Sequence, residues 1–412
     1  MTIPAAGELK SVLPVPPELR HSDTVRALLT MIAFSMVGNT VLVVQPMVVG
    51  GLVDLLHFTE REAGFIAAAE LLGFSLASLV VLTFVHKVNR RVLALAGVAI
   101  LVVVDIIACT ITTYPPMLVL RFMAGAGSAT AYAIFPTLAA ASSRPERVFG
   151  IVNATSIAYA GVFVWIAPKI LQLWHLPGIF LTMAALAIIV SPTIKWASAY
   201  AGGGAVQNVI PASAVRPRMK FNMNIAMLLG VLFFLYIGHG GIWAYQERIG
   251  VAAGLAKDEI GNLLGSSMLI WGVAGSLLAT WLGLAIGRIW PQIISLGASI
   301  FAALLLVLGA SAVTYGVACA LIAFSWFYGL PYQTGLLALF DPKGRANIGG
   351  VLTSTMGSAL GPSLAAILLG YGGHAAIGAM AGVCYVICLI LVLISIRQLA
   401  RTHPEALLSR RY

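Results

Sequence analysis

The stretch AYAGGGAVQNVIPASAVRPRMK, from Ala199 to Lys220, is the passage on which the reading of the whole chain turns. Gly202–Gly204, Pro211, Ser213, Pro217 and a late basic cluster mark a flexible linker, and no other connector approaches its length. Six apolar windows precede it, at about 24–52, 63–85, 92–113, 115–140, 148–170 and 177–197. Six follow it, at about 222–245, 259–286, 291–312, 314–339, 347–371 and 373–398. Each is long enough to span a hydrocarbon core of about 30 Å. The expectation is an all-α polytopic membrane protein of twelve transmembrane helices in two six-helix halves. The halves cover 22–197 and 222–398, with the linker over 198–221 and tails at 1–21 and 399–412.

Composition supports that reading. Of 412 residues, 60% are hydrophobic and only 9% charged, and the mean hydropathy is +0.98. A soluble domain carries roughly 25% charged residues, so the surface here must be wet by lipid. There every backbone polar group needs an internal partner, which only helices and closed barrels supply. Barrels read as short alternating segments; long runs of Leu, Ala, Ile and Gly read as helices.

The formal charge of +10 is distributed as topology, not as a nucleic-acid face. If alternate loops are assigned to two sides, nineteen of the 24 Lys and Arg residues fall on the side of the N-terminus and four on the other, with Arg121 inside a span. A wrong helix count would scramble this asymmetry, so both termini are expected in the cytoplasm. Residues 1–21 contain Pro4, Pro14, Pro16 and Pro17 and no apolar core, which makes them a tail and not a cleavable signal. The compact loops fit a bacterial inner membrane. Cys109, Cys319, Cys384 and Cys388 all lie in apolar runs without metal-ligand spacing and read as packing residues. No cofactor or metal is expected.

The two halves match each other at an offset near 200. Gly38-Asn39 corresponds to Gly238-His239, Gln45 to Tyr245, Gly64 to Gly261, Arg91 to Arg288, and ERVFG (146–150) to GRANIG (344–349). A parallel repeat of this kind places a binding site between halves near the midplane.

Twelve spans, a 6 + 6 split and a central linker resemble the major facilitator superfamily along nearly the whole chain. RFMAGAG (Arg121–Gly127) is similar to that family's Arg-x-x-x-Gly-x-Gly pattern, and the resemblance implies a proton-coupling role for Arg121. GSALGP (Gly357–Pro362) looks like the family's Gly-x-x-x-Gly-Pro element, which antiporters carry in the fifth span; here the fifth span reads AGVFVWIAP (Ala160–Pro168). The loop FVHKVNRR (Phe84–Arg91) keeps the family's basic pair but lacks its Gly and Asp.

Three ionisable residues lie at membrane depth, where a charge costs several kcal/mol. At about 1.5 Å per residue, Asp105 and Arg121 reach the same level from opposite directions, and Glu70 lies near it. One cation with two carboxylates reads as a proton relay, with Glu70 the expected carrier and Asp105 the partner of Arg121; the alternative is a structural brace. His239, in YIGHGGIWAYQ (Tyr236–Gln246), can titrate or bind a ligand; equally, it can be a hydrogen-bonded packing residue. Asn39, Gln45, Trp243, Tyr245, Trp326, Tyr328, Tyr332 and Gln333 are candidates for a cavity wall, since aromatic and amide groups orient a ligand while burying its apolar part. Trp and Tyr also form interfacial belts, the competing explanation. GAGSAT (Gly125–Thr130) begins like a dinucleotide loop but sits mid-span without a preceding strand.

The resemblance implies a secondary transporter working by alternating access on a small-molecule substrate. Proton-coupled symport of an organic anion or metabolite is favoured slightly over proton-coupled antiport that exports drugs or metabolites. A membrane-embedded enzyme and a channel are remote, because the loops are too short for a catalytic cluster and no filter sequence is visible. The expected partners are the substrate, protons and the lipid bilayer, with no nucleic acid; a monomer is expected.

Overall fold

A computed structural model describes residues 24–85, 88–139, 142, 145–198, 223–309, 311–340 and 345–402. Both tails (beyond Thr402 at the C-terminal end) and the linker, apart from Ser198, lie outside the described residues. Every regular element among them is helical. In chain order they are α1 (Val25–Val43), α2 (Gln45–Leu56), α3 (Glu60–Phe84), α4 (Arg90–Ala108), α5 (Tyr114–Tyr132), α6 (Ile134–Ala139) and α7 (Pro145–Val190), which ends in a 3₁₀ turn, Ser191–Trp196. After the linker come α8 (Met223–Ala252), α9 (Lys257–Ser266), a π turn (Ser267–Gly272), α10 (Val273–Leu282), α11 (Ile289–Leu308), α12 (Ala312–Phe340) and α13 (Arg345–Thr402).

Ten helical stretches are long and apolar enough to cross a membrane, where the sequence reading expected twelve. The difference lies in two of them, 147–196 and 349–399, of 50 and 51 residues. Each joins two expected windows with no loop between. The helical path breaks only at His175 (φ 55°, ψ −159°) and at Gly372-Gly373 (Gly373 φ 59°, ψ −156°). The two breaks sit 198 residues apart, in register with the repeat.

The first expected window, in contrast, is split. Pro46 cannot donate to the Leu42 carbonyl, so the helix stops at Val43 and restarts as α2. Starts are set locally. The Thr59 hydroxyl accepts from the Glu62 N–H while the Glu62 carboxylate accepts from the Thr59 N–H, a reciprocal cap that opens α3. Asn89 caps α4 through Arg91 N–H at 2.9 Å.

Large apolar side chains such as Leu76, Val80, Val103, Ile189, Leu308 and Trp281 stand exposed, as the lipid-wet surface requires. Inside, small residues bring helices into backbone contact. A Cβ on Gly125 would strike the Glu70 carbonyl, and one on Gly73 the Phe122 carbonyl, so α3 and α5 touch along a glycine seam.

Candidate functional site

That seam positions the first cluster. Arg121 on α5 donates from Nη2 to Glu70 Oε1 on α3 at 2.6 Å and from Nη1 to Asp105 Oδ1 on α4 at 2.8 Å. All three side chains are fully buried, and the Phe180 ring of α7 lies 4.6 Å from the guanidinium carbon. The depth estimate from sequence therefore corresponds to direct contact, and Arg121 holds both carboxylates at once. Arg121 Nε and Asp105 Oδ2 have no hydrogen-bond partner. One cation against two carboxylates leaves one negative charge in excess if all ionise, which low-dielectric surroundings penalise unless a proton is taken up.

A second cluster gathers aromatic and polar groups from α1, α5, α7, α8, α12 and α13. The Trp326 and Tyr236 rings meet edge to face, with centroids 5.9 Å apart. His239 lies between Trp326 at 5.0 Å and Tyr385 at 5.1 Å. Its Nδ1 pairs with the Leu235 carbonyl at 3.1 Å, one turn back, while Nε2 and the Tyr385 hydroxyl are buried without partners. Tyr132 packs on Gly38 and lies near Tyr236, which comes from the segment after the linker. Asn39 donates to Ser35 at 3.3 Å, and Ser35 pairs with Ser156 at 3.0 Å. Asn39, Tyr132, Tyr159, Tyr236 and Trp326 are half-buried.

The third feature closes one end of the helices. Arg248 on α8 grips both carboxylate oxygens of Asp54 on α2, at 2.8 and 2.7 Å, and also Glu247 beside it, at 2.6 and 2.8 Å. Lys257 adds a second cation to Asp54 at 2.5 Å. His374 faces Glu60 at 3.2 Å, Gln172 donates to Asp258 at 2.9 Å, and the Tyr245 hydroxyl donates to the Glu60 carbonyl at 2.8 Å. Trp243 donates to the Leu42 carbonyl at 2.7 Å, the very acceptor that Pro46 leaves free. All these bonds run between the segments before and after the linker, apart from the Arg248–Glu247 pair.

The candidates named from sequence thus separate. Asn39, His239 and Trp326 fall in the aromatic cluster. Trp243 and Tyr245 belong to the closed end, and Gln45 donates to the Ala67 carbonyl at 3.0 Å, fastening α2 to α3. Tyr328 stacks on Phe324 and Tyr332 reaches the Ala279 carbonyl at 3.3 Å, both on the α10 side of α12. Gln333 is buried with both amide atoms unpartnered, toward α11, where Ser295 lies against Gly329. Sequence reading missed Tyr132, Tyr159, Tyr236 and Phe180; for Tyr236, spacing of three and seven residues to His239 and Trp243 was the available signal. An apolar crevice of about 420 Å³ lined by Phe65, Leu72, Leu118 and Leu360 contains none of the candidates.

The family model described as Major Facilitator Superfamily matches residues 27–355. The chain belongs to the major facilitator superfamily. Among solved structures, a mutant of the nucleoside transporter NupG is similar to this facilitator with a TM-score of 0.70. Identity is 11%, over 91% of this chain and 99% of that one, and the likeness shows the fold. No curated protein matches. As a member of this family, the facilitator is a multi-pass membrane transporter.

Proposed function

We propose that this facilitator is a proton-coupled symporter that moves a small organic solute by alternating access across a bacterial inner membrane. The observation that carries the reading is the buried contact of Arg121 with both Glu70 and Asp105. A lone cation between two carboxylates gives the protein one proton to take up and release, with Glu70 as carrier and Asp105 as the standing partner. In this reading the chain crosses twelve times, α7 and α13 each crossing twice, as two six-helix halves with cytoplasmic termini. The bonded end that carries Asp54 and Arg248 is then the outer face, and the structure is the outward-closed state.

The substrate site is the aromatic cluster between halves, with Asn39, Tyr132, Tyr236, His239 and Trp326 as its contacts. The sequence-based preference for an organic anion rests on Arg121 and His239. Arg121 is engaged by two carboxylates, and among the described residues no charged group pairs with His239, so an uncharged planar metabolite fits the available groups better. Such a solute can stack on Trp326 and bond His239 Nε2. Nucleosides, the substrates in the name of NupG, are solutes of this class. Export by antiport would use the same carboxylates and is favoured by the aromatic wall alone. Uptake into proteoliposomes under an imposed pH gradient separates these readings. Symport requires accumulation when the outside is acid, antiport accumulation when the inside is acid, and indifference to the gradient would overturn proton coupling.

A further inference from the structure

Six Asp, Glu and Arg side chains are buried among the described residues: Glu70, Arg90, Asp105, Arg121, Glu247 and Arg248. Five of them stand in the ion pairs already described; Arg90 stands in none. It is 2% exposed, and its Nε and Nη2 are enclosed without a hydrogen-bond partner. Arg91 beside it shows what the position could have offered, donating from Nε to the Ala197 carbonyl at 2.8 Å and from Nη2 to the Lys195 carbonyl at 3.1 Å. A carboxylate or a lysine in such surroundings could shed its charge. A guanidinium cannot, so the cost of burying it must be met by an anion.

The place suits one. Arg90 is the first residue of the 19-residue α4, where unpaired N–H groups and the helix dipole already favour negative charge. Of the described residues beside it, Val88 and Asn89 bring no acid and Arg91 adds a further cation. The repeat supplies a second instance. Arg288, which matches this basic pair, is the N-cap of α11, half-buried, with Nε unpartnered. One turn deeper, Gln292 is fully buried with both amide atoms unpartnered.

We propose that Arg90 forms the core of a phosphate-binding site at the start of α4, with a related site at Arg288. The occupant is a phosphate group, either the headgroup of an anionic phospholipid in the adjacent leaflet or free inorganic phosphate. Both present oxygens that match the guanidinium's paired donors. This site is separate from the aromatic cluster and needs no assumption about what is transported.

The test uses full-length protein in detergent, with thermal unfolding and native mass spectrometry as readouts. Phosphatidylglycerol is compared with phosphatidylcholine, and inorganic phosphate with chloride at equal ionic strength. The expected result is stabilisation of the wild type by phosphatidylglycerol, by phosphate or by both, with affinity reduced at least tenfold in Arg90→Gln. A response to phosphatidylglycerol alone identifies the lipid as occupant, and a response to phosphate alone identifies the soluble ion. Arg90→Lys, which keeps the charge but loses the paired donors, should bind with intermediate affinity, and it takes the place of Arg90→Gln in the comparison if the latter fails to fold. If the wild type responds to neither, or Arg90→Gln responds as the wild type does, the proposal fails. Because the readout is binding, that failure would leave the symport reading untouched.

Discussion

In the proposed symport, replacing Glu70 by glutamine fixes the carrier in a mimic of its protonated form. The side chain keeps its length and an oxygen that can accept from Arg121 Nη2, where the carboxylate now accepts at 2.6 Å. Arg121 keeps Asp105 at 2.8 Å, so the variant holds one cation against one anion. Exchanging a charge-assisted bond for a neutral one costs about 1 kcal/mol, a small loss in a protein of this size. The consequence for transport is larger. One coupled proton per solute makes each pH unit worth about 1.36 kcal/mol, or roughly tenfold accumulation. In proteoliposomes with the outside one unit more acid, the wild type should concentrate an uncharged substrate about tenfold. Glu70→Gln should equilibrate it without accumulation while still catalysing substrate exchange. If Glu70→Gln accumulates substrate with the wild-type dependence on external pH, Glu70 is not the carrier.

Other expectations follow from the same geometry. Arg121→Gln strands two buried carboxylates and should cost about 3–5 kcal/mol, read as a large fall in Tm; a Tm within a degree of wild type would contradict the buried pairing. Gly125→Ala drives a methyl against the Glu70 backbone and should cost about 1–3 kcal/mol, measured by the same unfolding experiment. His175→Gly relieves a backbone conformation that costs a non-glycine residue about 1–3 kcal/mol. It should therefore raise Tm, and a fall would show that the break is not strained. Asp54→Asn removes a carboxylate that Arg248 and Lys257 share across the closed end, so hydrogen exchange over 45–56 should quicken about tenfold or more, a change of about 1.4 kcal/mol; unchanged exchange would mean that the pair does not hold the closure.

Much of this arrangement is legible in the chain. Hydropathy locates the helices, and a rise of about 1.5 Å per residue is enough to put Asp105, Arg121 and Glu70 on one level. The meeting of all three is not written there, because it depends on Gly73 and Gly125 letting α3 and α5 approach. Segment boundaries fail where a turn needs almost no residues. LWHLPG (173–178) has the look of a loop, yet a single positive φ at His175 turns the chain while its neighbours stay helical. The tenth-span candidates are close in sequence, but Trp326 and Tyr328 stand about 200° apart around a helix of 3.6 residues per turn and so serve different neighbours. Charges near span ends mislead most. Arg248 and Lys257 count as minor exceptions in a topology tally, and only the folded chain shows them gripping Asp54.

Glu247 has a consequence for how that grip is released. Parting the helices at this end would take Asp54 away with α2, leaving Arg248 on α8. A cation left bare in half-dry surroundings would make the separated arrangement prohibitively unstable. Glu247 is its sequence neighbour and already bound to it, so it travels with Arg248 wherever α8 goes. The arginine thus has a resident companion and a visiting one, and only the visitor departs. A clasp made this way can be firm without being permanent, which a moving protein needs more than strength.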